Sequence, residues 1–316
     1  MKCVVTGCAG FIGSHIAEAL VSRGHEVAGI DSFTDYYPRP IKQANLSRLR
    51  ESPNFTLIEA DLLEYDLHRL LDGVDCVYHQ AAQAGVRASW GQSFRVYTEN
   101  NILATQTLLE AAKDHPLHRF VYASSSSIYG DARELPVTED TIPQPISPYG
   151  VSKLAGEHLC RLYWVNFSVP TVSLRYFTVY GPRQRPDMGF HKFIRALLTE
   201  QEITLYGDGN QTRDFTFVSD AVSANLACLE AEVAGQVFNI GGGSRVSVNH
   251  VISLLESLSG KRAKVRRIEN QKGDVRDTFA DTSRALELLG FRPAVSVEEG
   301  LRRELEWLER GLRTED

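Results

Sequence analysis

The stretch VVTGCAGFIGSHIAEAL, residues 4–20, sets Gly7, Gly10 and Gly13 between a short apolar run and an amphipathic one. A strand that turns on glycine into a helix is a ready anion site, because the helix N-terminus presents unpaired N–H groups and positive partial charge. Gly7 suits the tight turn, Gly10 lets backbone approach a pyrophosphate, and Gly13 lets the helix lie close to its strand. Phe11 and Ile12 fall inside the same turn. The spacing is G-x-x-G-x-x-G, and by itself it also fits an ordinary tight turn. Context decides for a dinucleotide: Asp31 closes a second apolar run 18 residues after Gly13 and is followed by Ser32. A carboxylate there accepts both ribose hydroxyls and repels a 2′-phosphate, which favours NAD over NADP.

The rest of the chain continues the alternation. Apolar runs at 3–6, 26–30, 56–60, 76–79, 119–123 and 171–175 alternate with helical patterns at 11–23, 64–71, 93–114 and 149–166. This predicts an α/β fold, a Rossmann-type doubly wound parallel sheet covered on both faces. Beyond residue 176 turns multiply, as at Tyr180-Gly181-Pro182 and Gly207-Asp208-Gly209-Asn210, with further helices expected at 188–200, 219–231, 247–258 and 297–310. We therefore divide the chain into an NAD-binding domain, 1–176, and a smaller C-terminal α/β substrate-binding lobe, 177–316, with a strand near 236–241 returning to the main sheet.

Net charge is −6 and neither end carries a basic block, which argues against a nucleic-acid partner. Five scattered cysteines show no metal or redox spacing, so reduced thiols in a cytoplasmic protein without a metal are expected. The N-terminus reads as a first strand, and no apolar run reaches the ~18 residues needed to span a bilayer, so no membrane partner is expected.

Three further stretches carry chemistry. SPYGVSKLAGEH (147–158) sets Tyr149 and Lys153 four apart at a helix start, hence on one face. A nearby ammonium and a cationic nicotinamide would both favour the phenolate, making Tyr149 a base for a hydroxyl. HQAAQAGVR (79–87) follows the fourth strand, where Ala81 and Ala82 offer small surfaces to a cofactor and Asp61-Leu62 ends the third strand near the adenine. His79 reads equally as a packed histidine or a chemical one. VYASSSSIYG (121–130) puts four serines at a strand end bracketed by packed aromatics, which is unlike a linker.

Together these stretches resemble the extended short-chain dehydrogenase/reductase family, specifically its NAD-dependent nucleotide-sugar epimerases and dehydratases. The resemblance spans essentially the whole chain and includes RYFTVYGPRQRP, GDGNQTRDFTFVSD and FNIGGG. It implies NAD held by Gly7, Gly10, Phe11, Ile12, Gly13, Asp31, Ser32, Asp61, Leu62, Ala81, Ala82, Gln83, Asn100, Ser124, Tyr149, Lys153, Tyr176 and Thr178. It makes Ser125 the hydroxyl that assists Tyr149. It assigns Arg213 to the substrate diphosphate, a group that guanidinium pairs bidentately, and places Arg276 at the substrate. A homodimer through the helices near 93–114 and 149–166 is also implied.

Dehydratases of the family carry an acid pair where this chain has Ser126 and Ser127, so elimination is disfavoured and those serines join the candidate catalytic set. DSFTDYY (31–37), AAQAGVRAS (81–89) and TVYGPRQRPDM (178–188) resemble the UDP-glucuronate 4-epimerases. That likeness implies C4 inversion of UDP-glucuronate to UDP-galacturonate through a transient 4-keto sugar. Arg87 and Arg185 are then either solvated or phosphate-paired charges, or one of them grips the sugar carboxylate with Thr178 or the serines. UDP-glucose 4-epimerase and UDP-glucuronate decarboxylase are the enzymatic alternatives. A non-catalytic NAD(H) sensor is the alternative of another class, though such proteins often lose the Tyr or Lys that this chain retains.

Overall fold

Seven strands form one all-parallel sheet in the computed structural model, which describes residues 1–269 and 271–313. They are β1 (Lys2–Thr6), β2 (Glu26–Asp31), β3 (Phe55–Glu59), β4 (Cys76–His79), β5 (Arg119–Ser125), β6 (Thr171–Tyr176) and β7 (Val237–Ile240). The order is β7-β6-β5-β4-β1-β2-β3. Chain direction across the sheet reverses between β1 and β4, where Thr6 lies beside His79. Alternating residues feed opposite cores, as a sheet buried on both sides requires: Cys3 and Val5 join one, Val4 and Val77 the other. The C-terminal ends of β1 and β4 thus flank the crevice where ligands of open α/β sheets collect.

Helices of eight residues or more among the described residues are α1 (Phe11–Ser22), α2 (Ala104–Ala112), α3 (Pro148–Phe167), α4 (Gly189–Leu198), α5 (Val218–Ala227), α6 (Val248–Ser259) and α7 (Val297–Arg313). The expected continuous helix over 93–114 is interrupted. A short turn, Phe94–Tyr97, passes into a wide i→i+5 stretch, Thr98–Leu103, before α2 begins. Within it Asn101 is buried and exchanges hydrogen bonds with the backbone of Gln83 (2.7 and 2.9 Å) while also donating to Ser152 (2.8 Å). Such wide turns tend to mark functional sites, and this one presents Asn100 to the crevice.

After β6 the chain forms three two-stranded sheets among the described residues. Val179–Tyr180 pairs with Thr216–Phe217, Glu202–Tyr206 with Lys264–Ile268, and Thr212–Asp214 with Arg245–Ser247. β7 then pairs in parallel with β6 over Val237–Ile240. No helix among the described residues is long and apolar enough to cross a membrane.

Candidate active site

One cleft runs along the C-terminal ends of the central strands. Its walls include Gly7, Gly10, Phe11, Ile12, Gly13, Asp31, Ser32, Asp61, Leu62, Ala81, Ala82, Gln83, Asn100, Ser124, Tyr149, Lys153, Tyr176 and Arg185. The glycine turn is shaped by contact as well as conformation. Gly7 has φ +66°, and a Cβ there would stand 2.8 Å from the Ala81 backbone. A Cβ on Gly13 would lie 2.2 Å from the Gly7 carbonyl oxygen. No side chain caps α1, whose N-terminus is Gly10, so the first-turn N–H groups are left for an anion. Asp31 accepts from the N–H groups of Ala9 (3.0 Å) and Phe33 (2.8 Å), and each carboxylate oxygen keeps further acceptor capacity. Burial raises its pKa above the usual carboxylate value.

At the other end, β5 delivers Ser124 and Ser125, and α3 delivers Tyr149 and Lys153 from its first two turns. Ser147 caps α3 by accepting from the Gly150 N–H (3.1 Å), and Pro148 opens it, so the helix start is defined by sequence alone. Burial pushes the Tyr149 phenol up, while the Ser125 hydroxyl and the Arg185 guanidinium pull it down. The Lys153 ammonium lies 4.7 Å from the centre of the Tyr122 ring. Burial depresses Lys153 to about 8, opposed by Cys160 and Glu157. Lys153 is 3% exposed and its ammonium has no hydrogen-bond partner among the described residues, which leaves three donors for a bound hydroxyl.

The serine run divides. Ser124 donates to Glu157 Oε2 (2.7 Å), and Arg175 braces that carboxylate bidentately at 2.6 and 3.1 Å. Ser125 accepts from the Ser127 N–H (3.1 Å) and so starts a 3₁₀ turn, Ser126–Ile128. Ser126 faces a second, small pocket beside Tyr129 and Phe177, and neither it nor Ser127 lines the main cleft. Thr178 also lies off the cleft lining, its carbonyl accepting from the Thr216 N–H (3.0 Å). Tyr176 lines it, with its hydroxyl held by Asn225 (2.6 Å).

The arginines form two groups. Arg87 pairs with Asp274 (2.6 Å) and stacks on Tyr206 at 3.8 Å. Arg213 donates to the carbonyls of Thr212, Val275 and Arg276. Arg276 is largely exposed near Asp277. These three share one segment, 274–277. Arg185 stands apart at the cleft, paired with Asp187 (2.9 Å) and 5.7 Å from the Tyr36 ring, while Tyr36 itself donates to Asp187 (3.0 Å). His79 is the packed kind: buried, held between the hydroxyls of Thr6 (2.8 Å) and Thr105 (2.9 Å), and depressed by burial to about 3.

Sequence reasoning missed Thr34, Tyr36, Tyr37, Lys42 and Gln80 as wall residues, and the Glu157–Arg175 pair behind them. Glu157 could have been found, since it follows Lys153 by four residues on one helix face. Lys42 could not: it reaches the cleft by folding back on the Thr34 carbonyl (2.7 Å).

Residues 3–241 match the family model described as the NAD dependent epimerase/dehydratase family. A Bacillus subtilis protein named as an uncharacterized UDP-glucose epimerase, YtcB, is 47% identical over 98% of both chains. A UDP-glucuronate 4-epimerase of Thermodesulfobacterium geofontis is 39% identical over 96% of this chain and 95% of its own. Among solved structures, the UDP-glucuronic acid 4-epimerase of Bacillus cereus in complex with UDP-glucuronic acid and NAD superposes with a TM-score of 0.96. It is 47% identical and the match covers 98% of this chain and 99% of that one.

Proposed function

The chain belongs to the NAD-dependent epimerase/dehydratase family, and from that premise we propose that it interconverts UDP-glucuronate and UDP-galacturonate by inverting C4 through a transient 4-keto sugar. The observation that carries the uronate over a neutral sugar is Arg185, a guanidinium at the cleft wall that acts electrostatically on Tyr149. A cation within range of the reacting phenol is also within range of a carboxylate on the carbon next to C4.

The cofactor is NAD. The cleft fits it: an uncapped helix N-terminus for pyrophosphate, a glycine turn with no room for Cβ atoms, an acid for the adenosine ribose, and at the opposite end an ammonium with no hydrogen-bond partner among the described residues. Gly10, Phe11, Ile12 and Gly13 would hold the pyrophosphate, Asp31 and Ser32 the adenosine ribose, Asp61 and Leu62 the adenine, and Lys153 the nicotinamide ribose. When bound, NAD supplies reversible two-electron oxidation at sugar C4.

The chain's own residues manage the protons. Tyr149 takes the C4 hydroxyl proton at its phenolic oxygen and returns it after the sugar has turned. Ser125 steadies that oxygen by hydrogen bonding, and Arg185 favours its ionised form. A 4-keto uronic acid is a β-keto acid prone to lose CO₂ when its carboxylate stands perpendicular to the carbonyl plane. Arg185 bound to the carboxylate keeps it from that angle. Arg87, Arg213 and Arg276 serve the diphosphate, at the price of giving up partners on segment 274–277.

Incubating the protein separately with UDP-glucuronate and UDP-glucose tests the reading. A C4 epimer from the uronate, of unchanged mass, is expected. Preferential epimerisation of UDP-glucose, the reading favoured by the name of the Bacillus subtilis relative, would overturn it, as would UDP-xylose and CO₂. Arg185→Ala is expected to weaken UDP-glucuronate and release a pentose by-product. Unchanged affinity with no pentose removes the carboxylate role. We also propose a cytoplasmic homodimer, in keeping with five free, buried cysteines and with Val151, Leu162, Val165 and Phe167 exposed along α3. A monomeric mass by light scattering would refute the dimer.

A further inference from the structure

Arg185 rides on a segment, Tyr180–Asp187, that crosses from the strand pair at Val179–Tyr180 to α4. The segment is tied down at each step. Arg183, in left-handed conformation at φ +68°, pairs with Glu18 of α1 (2.6 Å) and donates to Ser14 (3.2 Å). His15 bonds the Pro182 carbonyl (2.9 Å), and the Gln184 side chain accepts from the His191 N–H (2.9 Å). The tie at the root comes from the far end of the chain. Glu304, in the middle of α7 and fully buried, accepts from the Gly181 N–H through Oε2 (2.9 Å), while its Oε1 is buried with no hydrogen-bond partner among the described residues. Gly181 needs this acceptor. Its φ of +135° is a glycine conformation, Phe217 and Val218 pack within 3.0 Å of where a Cβ would sit, and the residue is buried, so its N–H needs a protein partner.

We propose that Glu304 is a positioning residue for Arg185. By holding the Gly181 N–H, it sets the point from which the Pro182–Arg185 segment leaves the protein interior for the cleft. α7 thereby takes part in recognising the sugar carboxylate without touching the substrate. This rests on the reading of Arg185 as the group that meets that carboxylate. A fully buried carboxyl with a single N–H donor holds its proton far above the usual range, since burial outweighs that bond. Glutamine keeps an acceptor oxygen at this place and nearly the same size.

The test uses the full chain with NAD and compares Glu304→Leu with Glu304→Gln. Losing the acceptor is expected to raise the KM for UDP-glucuronate roughly tenfold in Glu304→Leu. Affinity for UDP, which lacks the carboxylate, should stay within about twofold by calorimetry, and Glu304→Gln should restore the parent KM. An unchanged KM in Glu304→Leu, an equal loss of UDP affinity, or failure of glutamine to restore KM each overturns the proposal. If Glu304→Leu yields no folded protein, Glu304→Asp decides, because it withdraws the carboxyl by one methylene. A selective KM rise supports positioning and an unchanged KM overturns it. Arg185→Ala, measured alongside, separates the two readings. If it has no effect on KM, the carboxylate reading itself fails. If it acts while Glu304→Leu does not, only the role of Glu304 fails.

Discussion

Replacing Glu157 with glutamine probes the support beneath the cleft floor. Glu157 receives three donors on two oxygens: Ser124 Oγ and Arg175 Nε on Oε2, and Arg175 Nη2 on Oε1. Both side chains of the pair are under a tenth exposed. A glutamine offers one oxygen and turns an N–H₂ toward at least one of those donors, leaving the Arg175 charge uncompensated. Breaking a buried pair by removing one partner costs about 3–5 kcal/mol. With an unfolding entropy of about 2.1 cal/mol/K per residue, the 316-residue chain has about 0.66 kcal/mol/K, so a 4 kcal/mol loss lowers Tm by ~6 °C. Urea and thermal unfolding of Glu157→Leu, Arg175→Met and Glu157→Leu/Arg175→Met, beside Glu157→Gln, close a double-mutant cycle. The apolar pair should recover most of the loss, with a coupling energy of about 2 kcal/mol or more. A Tm drop below ~2 °C in Glu157→Gln, or additive losses in the double variant, would refute the reasoning.

Three other outcomes are expected. Tyr149→Phe keeps the ring and loses the proton acceptor, so turnover should fall by about 10²–10⁴ while the NAD dissociation constant, by calorimetry, stays within a few-fold. Gly13→Ala forces a Cβ to 2.2 Å from the Gly7 carbonyl, and the backbone shift should cost roughly 1–3 kcal/mol of stability and weaken NAD, read as a smaller NAD-induced rise in Tm. Lys153→Met should abolish turnover yet raise stability at neutral pH. Lys153 titrates at about 8 when folded against 10.5 when free, so the unfolded chain binds more protons between those values. The penalty for burying the ammonium is complete below about pH 8 and relieved as pH rises toward 10.5. The advantage of the variant in denaturant midpoint should accordingly shrink from pH 7 to about pH 10; an advantage that grows with pH would contradict the sign.

Much of this protein is written in local patterns. Apolar runs of strand length between helical ones commit the chain to a parallel sheet, because strands buried on both faces have no polar alternation to keep. The glycine turn is legible because close backbone approach admits no other residue. Tyr149 and Lys153 are legible because helical spacing alone puts them on one face. What needed the tertiary structure is everything decided by segments far apart in sequence. The environment of Tyr149 is one such case: Arg185, 36 residues on, joins it on the cleft wall, and the Lys153 ammonium, four residues on, lies over the Tyr122 ring of β5. The division of the serines is another, since Ser124 is directed by Glu157 and Arg175 from two other elements. The root of the Arg185 segment is a third, held by a carboxyl 123 residues from Gly181. Electrostatic effects depend on burial and distance in space, and neither is a property of spacing along the chain.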